Sequence, residues 1–212
     1  AVNIGTGGQA SVYVGTALAP GSLELRPFIQ NGYLLTGVGE VGGRTFRVFR
    51  DFFARTAHDV FGVTSDGDEI YVRLAQLAAE VEPGADGVDS VPFFLGSRRN
   101  PNATAEFSGL TPATFTPGHL ARSLFEAMAG HLKSYYDEAV SLGAERRSRL
   151  AGSGNGLRLN PVLRESLSAA FGLPLEIAHH AEEAAVGAAL CGAVAVGDFP
   201  DIATASRSFV RY

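Results

Sequence analysis

Two glycine-rich segments carry the residue types and spacing that could do chemistry. They are Gly5-Thr6-Gly7-Gly8 near one end of the chain and Gly152-Ser153-Gly154-Asn155-Gly156 near the other. Glycine admits positive φ and lets a backbone approach a ligand closely, because no Cβ stands in the way. In the first segment Thr6 adds a hydroxyl, and successive backbone amides there can form an anion-binding concavity. Beyond the second, Asn160 suits a helix N-cap and Pro161 the first helical position. A helix opening out of a glycine turn offers free amides and the positive end of its dipole, which suits phosphate. Taken alone, each segment is also explained as an ordinary turn or cap. Two of them favour a shared phosphate-bearing ligand, provided their strands lie in one sheet.

The elements that must position them follow from periodicity. Val2, Ile4, Val12, Tyr13 and Val14 flank the first turn and predict strand, turn, strand over residues 1–14. Residues 23–37 predict two short strands joined at Asn31-Gly32. Gly42-Gly43 opens a helix to about Phe61, with Phe46, Phe49, Phe53, Ala57 and Val60 as a core stripe. Its start could also bring Gly43 to a ligand. A second helix covers about Glu69–Val81, and Val91–Leu95 and Ala105–Leu110 read as short strands, the first of them buried. Thr116 caps and Pro117 starts the longest helix, which runs to about Leu142 with Gly143 behind it. A strand leads into the second glycine turn, and the helix after it ends near Phe171-Gly172. Leu173–Ala178 is then a strand, Glu182-Glu183 open an Ala-rich helix to about Val196, and residues 199–212 form a short terminal helix.

At 212 residues, with 46% hydrophobic and 18% charged, the chain can bury a substantial single core. A net charge of −5, with no basic run longer than Arg98-Arg99 or Arg146-Arg147, argues against nucleic acid as a partner. No uninterrupted apolar stretch is long enough for a transmembrane helix, so no membrane partner is expected. The lone Cys191 cannot form an intrachain disulfide and reads as a small core residue in a reducing compartment, hence a cytoplasmic protein. The start, Ala-Val-Asn-Ile-Gly, lacks a signal peptide's basic region and enters a strand at once, the look of a piece of something longer. His179-His180 lack a third ligand at zinc spacing, and His119, early in a helix, reads as a structural hydrogen-bonding residue.

The order hairpin, helices, strand, long helix, strand, glycine turn, helix, strand, helix is α/β. It is the layout of one half of the actin/hexokinase/Hsp70-like (ribonuclease H-like) ATPase fold, a mixed sheet flanked by helices. Within it the chain resembles the FGGY carbohydrate kinases, and specifically their C-terminal domain. Ala105-Glu-Phe-Ser-Gly-Leu110, eight residues, then His119-Leu-Ala-Arg-Ser-Leu-Phe-Glu126 fits that family's second signature at every position. Gly152-Ser-Gly-Asn-Gly156 with Asn160-Pro-Val-Leu-Arg164 looks like its adenosine-binding turn. Glu182-Glu-Ala-Ala-Val-Gly-Ala-Ala189 looks like its closing helix, and Asn3-Ile-Gly-Thr-Gly-Gly-Gln9 like its second phosphate-binding hairpin. Leu25-Arg-Pro-Phe28 and the Gly42-Gly43 helix start look most like the sedoheptulokinase branch.

The resemblance implies a C-terminal ATP-binding domain over residues 1–197 and a helical tail over 198–212. It implies ATP with Mg²⁺, and transfer of the γ-phosphate to a hydroxyl of a carbohydrate, a ketose such as sedoheptulose or xylulose. Gly5, Thr6 and the Gly7-Gly8 amides would serve the phosphates. Gly152, Ser153 and Gly154 would pack close to the nucleotide, Asn160 would contact its adenosine part, and Gly43 is a further candidate. The aspartate general base and most sugar contacts would belong to an N-terminal domain that this chain does not contain. Asp51, Asp59, Asp66 and Asp68 are not substitutes for that base. A domain separated from its partner would expose an apolar face, so weak ATP binding and a homodimer are expected. The alternative from another class is a non-catalytic nucleotide-binding or oligomerisation module of the same fold.

Overall fold

The computed structural model describes residues 1–212 apart from 30, 40 and 99. Alternation places Val2 and Ile4 of β1 (Val2–Ile4) and Ala10, Val12 and Val14 of β2 (Gly8–Val14) among the buried residues. The two strands form an antiparallel hairpin with Ile4 opposite Gly8. Beyond β2 the sheet continues antiparallel through β4 (Gly32–Val38) to β3 (Glu24–Phe28). Asn31, at φ 58°, turns the chain between those two strands as its sequence predicts.

On its other side β1 pairs in parallel with β7 (Leu150–Ser153), and β7 in parallel with β8 (Leu175–Ile177). The result is one six-stranded mixed sheet in the order β3-β4-β2-β1-β7-β8. The parallel register sets Val2 opposite Gly152 and Asn3 opposite Ser153. Both glycine segments therefore leave neighbouring strands at the same edge.

The long helix α3 (Pro117–Ser141) packs on β2 and β4. Its N-cap Thr116 Oγ1 accepts from the His119 N–H at 3.3 Å, and the His119 ring meets Thr116 Oγ1 at 2.7 Å and Asp86 at 3.1 Å. His119 is thus a local fastener, as expected. Leu124, Phe125, Met128 and Leu132 of α3 are buried in the core. Arg122, almost wholly buried, binds Glu126 at 2.7 Å and Glu165 at 3.2 Å, tying α3 to α5 (Pro161–Phe171). Burial opposes its charge, but the two carboxylates more than compensate and raise its pKa.

Several elements depart from the sequence expectation. In α1 (Gly43–Phe61), Phe46 and Phe49 are core, and the Phe46 ring stacks on Phe125 at 4.7 Å. Val60 is 67% and Phe61 72% exposed, because the helix runs on past the core it packs against. Helix α2 (Gly67–Ala79) starts earlier than its apolar spacing predicts, since the Asp66 carboxylate caps it by accepting from the Asp68 N–H at 2.8 Å. The expected strand Val91–Leu95 is not formed; β5 (Asp89–Val91) instead pairs with β6 (Glu106–Ser108) in a separate ribbon that ends at Pro92, which has no N–H for the ladder.

A five-residue helix, α4 (Asn155–Leu159), occupies what reads in sequence as the continuation of the second glycine turn. Cys191 is exposed, not core: α6 (Glu183–Ala195) is apolar on all faces and buries only Leu190, packing on α7 (Ile202–Phe209). Arg98 pairs with Glu24, and its neighbour Arg99 lies outside the described residues. Among the described residues no helix is long and apolar enough to cross a membrane.

Candidate functional site

The hairpin turn is closed on itself and then clamped by α1. The Gly5 N–H donates to the Gly7 carbonyl at 3.0 Å. The Gly5 carbonyl in turn accepts from the Gly43 N–H, and the Thr6 carbonyl from the Arg44 N–H, each at 2.9 Å. This apposition is backbone against backbone. A Cβ on Gly42 would stand 2.4 Å from the Gly7 carbonyl carbon and 2.6 Å from the Gly8 nitrogen, and one on Gly43 2.7 Å from the Gly5 oxygen. The Gly42-Gly43 start therefore serves the hairpin first. The Gly43 amide is spent there, and Gly43 meets a ligand only through its bare Cα.

The second segment is held by contact with β1. Gly154 sits at φ 92°, and a Cβ there would lie 2.5 Å from the Ile4 oxygen; one on Gly156 would lie 2.7 Å from Ile4 Cγ2. Asn3 Nδ2 donates to Ser153 Oγ at 2.8 Å and links the two strand ends. Arg158 of α4 reaches over to the Ala178 and His180 carbonyls and the Glu183 carboxylate, fixing the α4 turn against the start of α6.

Between the two segments lies a cleft of about 430 Å³. Gly5, Thr6 and Gly43 form one side of it and Asn155, Gly156 and Leu159 the other, with Arg47, Arg50, Asp68 and Tyr71 completing the lining. The Thr6 side chain is exposed. Arg50 is held by Asp51 at 2.9 Å through Nε, whereas Arg47 has no side-chain partner among the described residues. Leu159 is 70% exposed. Burial raises the pKa of Tyr71, although the neighbouring Asn160 amide opposes the shift, so Tyr71 stays a neutral phenol.

Of the residues singled out in sequence, Gly5, Thr6 and Gly43 come together in this cleft. Gly7 faces an adjoining one. Gly8 and Gly152 are buried, and a Cβ on Gly152 would meet Ile177 at 2.6 Å, so both are packing glycines. Ser153 is taken by Asn3, and Gly154 caps α4. Asn160 is fully buried outside the cleft lining: its Oδ1 accepts from the Leu163 N–H at 3.0 Å, and its Nδ2 has no hydrogen-bond partner. Arg47, Tyr71 and Leu159 were missed. Arg47 was findable, since it lies one helical turn beyond Gly43 and hence on the same face. Tyr71 was not, because only tertiary packing brings α2 here.

The adjoining cleft, about 260 Å³, lies on the Gly7 side of Thr6 and is bounded by Gly7, Gly39, Gly42, Arg44 and the loop Leu95–Arg98. Another groove, about 630 Å³ and lined by Phe52, Phe94, Phe107 and Phe115, does not include Thr6. His180 Nε2 meets the Phe209 carbonyl at 3.0 Å, and the His179 N–H donates to the Arg211 carbonyl at 2.9 Å, so this pair staples the tail. No group of three or more His, Cys, Asp or Glu among the described residues could hold a metal ion.

This mixed sheet with its helices defines the C-terminal half of an actin/hexokinase-like α/β fold. Residues 30–196 match the model of the FGGY family of carbohydrate kinases, C-terminal domain, and the chain belongs to that family. It is 28% identical to the sedoheptulokinase of Homo sapiens over 166 residues, 77% of this chain and 33% of that protein. The crystal structure of xylulose kinase from Rhodospirillum rubrum superposes with a TM-score of 0.69 at 28% identity, covering 83% of this chain and 33% of that one. Ligand-bound xylulose kinase from Lactobacillus acidophilus gives a TM-score of 0.79 at 19% identity, covering 99% of this chain and 41% of that one. This second likeness extends the fold correspondence to the hairpin, ahead of the family match. The chain thus spans about a third of the length of the human relative, 33%.

Proposed function

We propose that this chain is the nucleotide-binding half of a two-domain carbohydrate kinase, residues 1–197 forming that half and 198–212 a stapled helical tail. The observation that carries the reading is the cleft in which two glycine segments, distant in sequence, face each other across Thr6, Gly43 and Gly156. The residues present fit ATP. Gly43 and Gly156 both line the cleft, and each is packed so closely on the hairpin that no side chain could stand there. The Thr6 hydroxyl donates to a phosphate oxygen, and the unpaired Arg47 guanidinium balances phosphate charge. Tyr71 and Leu159 offer an aromatic and an aliphatic surface to the base. Among the described residues the cleft lining holds one carboxylate, Asp68, and no group that could cage a metal ion, so Mg²⁺ would come with the ATP phosphates.

Phosphoryl transfer depends mainly on positioning and charge neutralisation, and this half supplies both at the donor phosphates. The general base and most sugar contacts belong to the other half. Among the matched relatives, the sedoheptulokinase and the xylulose kinases are named for ketoses, which supports a ketose acceptor, while others are named for gluconate, erythritol and glycerol. A cytoplasmic location fits an ATP-consuming enzyme with one unpaired cysteine. Joining this chain to an upstream domain should give ADP release that depends on both ATP and sugar. No release across pentuloses, heptuloses and hexonates would overturn the proposal.

A further inference from the structure

Thr6 borders two clefts. If the reading above is right, on which this inference rests, the phosphate at Thr6 has the nucleotide on the Arg47 side. The second cleft then opens on the phosphate from the Gly7 side. Its walls are bare backbone at Gly7, Gly39 and Gly42, the Ser97 hydroxyl, and the Arg44 and Arg98 guanidinium groups. No acidic side chain is among its described lining residues.

Arg98 is engaged by Glu24, but the Arg44 side chain has no partner among the described residues. Its backbone is fixed nonetheless: the Arg44 N–H donates to the Thr6 carbonyl at 2.9 Å. A five-donor fork with no partner among the described residues is therefore held in register with Thr6, the residue proposed to meet the reacting phosphate. Arg44 and Arg47 lie three residues apart on α1, and they serve different clefts.

We propose that this second cleft is the acceptor pocket contributed by this half, that it takes a polyhydroxylated chain, and that Arg44 is its specificity-determining residue, donating to neighbouring oxygens of the acceptor. In the step so served, the acceptor hydroxyl oxygen forms the new bond to the γ-phosphorus and the bond from that phosphorus to the bridging oxygen breaks. ADP leaves with the electron pair, and the hydroxyl proton goes to the general base of the other half. Loss of a charge-assisted donor pair should weaken acceptor binding about tenfold.

The test is steady-state kinetics on the two-domain protein with Arg44→Ala, Arg44→Lys and Arg47→Ala. Arg44→Ala should raise the acceptor KM about tenfold and leave the ATP KM unchanged, with Arg44→Lys in between. Arg47→Ala should do the reverse. An unchanged acceptor KM in Arg44→Ala, or an ATP KM that rises with it, overturns the acceptor pocket but leaves the kinase reading standing. A wild-type protein that phosphorylates no sugar overturns the kinase reading and this pocket together. Circular dichroism of each variant checks that the exposed substitutions leave the fold intact.

Discussion

The two glycine segments look alike in sequence and are held in place by different forces. The hairpin at Gly5–Gly8 is fixed by hydrogen bonds, its carbonyls at Gly5 and Thr6 taking the first two amides of α1. The segment at Gly152–Gly156 is fixed mainly by shape, Gly154 and Gly156 lying against the backbone and side chain of Ile4, with one side-chain hydrogen bond from Asn3 to Ser153. Their surroundings differ to match. Thr6 has Arg44 and Arg47 beside it, whereas the second segment ends in the exposed, aliphatic Leu159. In both, glycine is first a packing requirement, and the chemistry comes from the neighbours that the packing admits. One wall suits phosphate and the other suits a base.

The largest expected effect tests the rigidity of the first wall. Gly42→Ala puts a methyl group 2.4 Å from the Gly7 carbonyl carbon, where only backbone could yield. It should cost about 3 kcal/mol in urea denaturation and uncouple the hairpin from α1. Gly156→Ala presses partly on the movable Ile4 side chain and gains helix propensity, so about 1 kcal/mol is expected. Equal losses would erase the contrast between a hydrogen-bonded wall and a shape-packed one.

Next in size are changes that spare the fold. Arg47→Ala should weaken ATP binding about tenfold and Thr6→Val about fivefold by calorimetry, both within about 0.5 kcal/mol of the parent in stability. The chain by itself should bind ATP weakly and self-associate, since Phe52, Phe61, Phe115 and Leu159 are exposed apolar groups. Sub-micromolar ATP binding to a monomer would contradict that expectation.

Much of the scaffold was legible because its signals are local. Val2 and Ile4 alternating into a glycine turn, Thr116-Pro117 opening α3, and Asn31-Gly32 reversing a hairpin each carry their own instruction. Fold and family followed from the order of those pieces and the quoted motifs. The cleft was legible only in part. Sequence marks glycines without saying whether they face ligand or core, so Gly8 and Gly152 looked like Gly5 but are buried. Apolar residues likewise do not announce where a helix leaves the core. Val60 continues the Phe46–Phe53 stripe in register, yet nothing packs over it; Cys191 sits in a helix apolar on all sides, whose buried face its sequence cannot choose.

The smallest expected effect concerns Asn160, where cap and ligand roles make different demands. Its Oδ1 caps α5 through the Leu163 N–H, while its buried Nδ2 lies close enough to Tyr71 to favour the ionised phenol yet makes no hydrogen bond of good geometry. Serine keeps a cap acceptor and removes the amide nitrogen, so Asn160→Ser should cost no more than about 1 kcal/mol. The residue does not line the cleft, and so ADP affinity should stay within about twofold of the parent by calorimetry. A tenfold loss with an unchanged melting temperature would mean that Nδ2 meets the nucleotide once it binds. The second wall would then be polar as well as aliphatic, and the contrast between the walls would narrow to the presence of arginine.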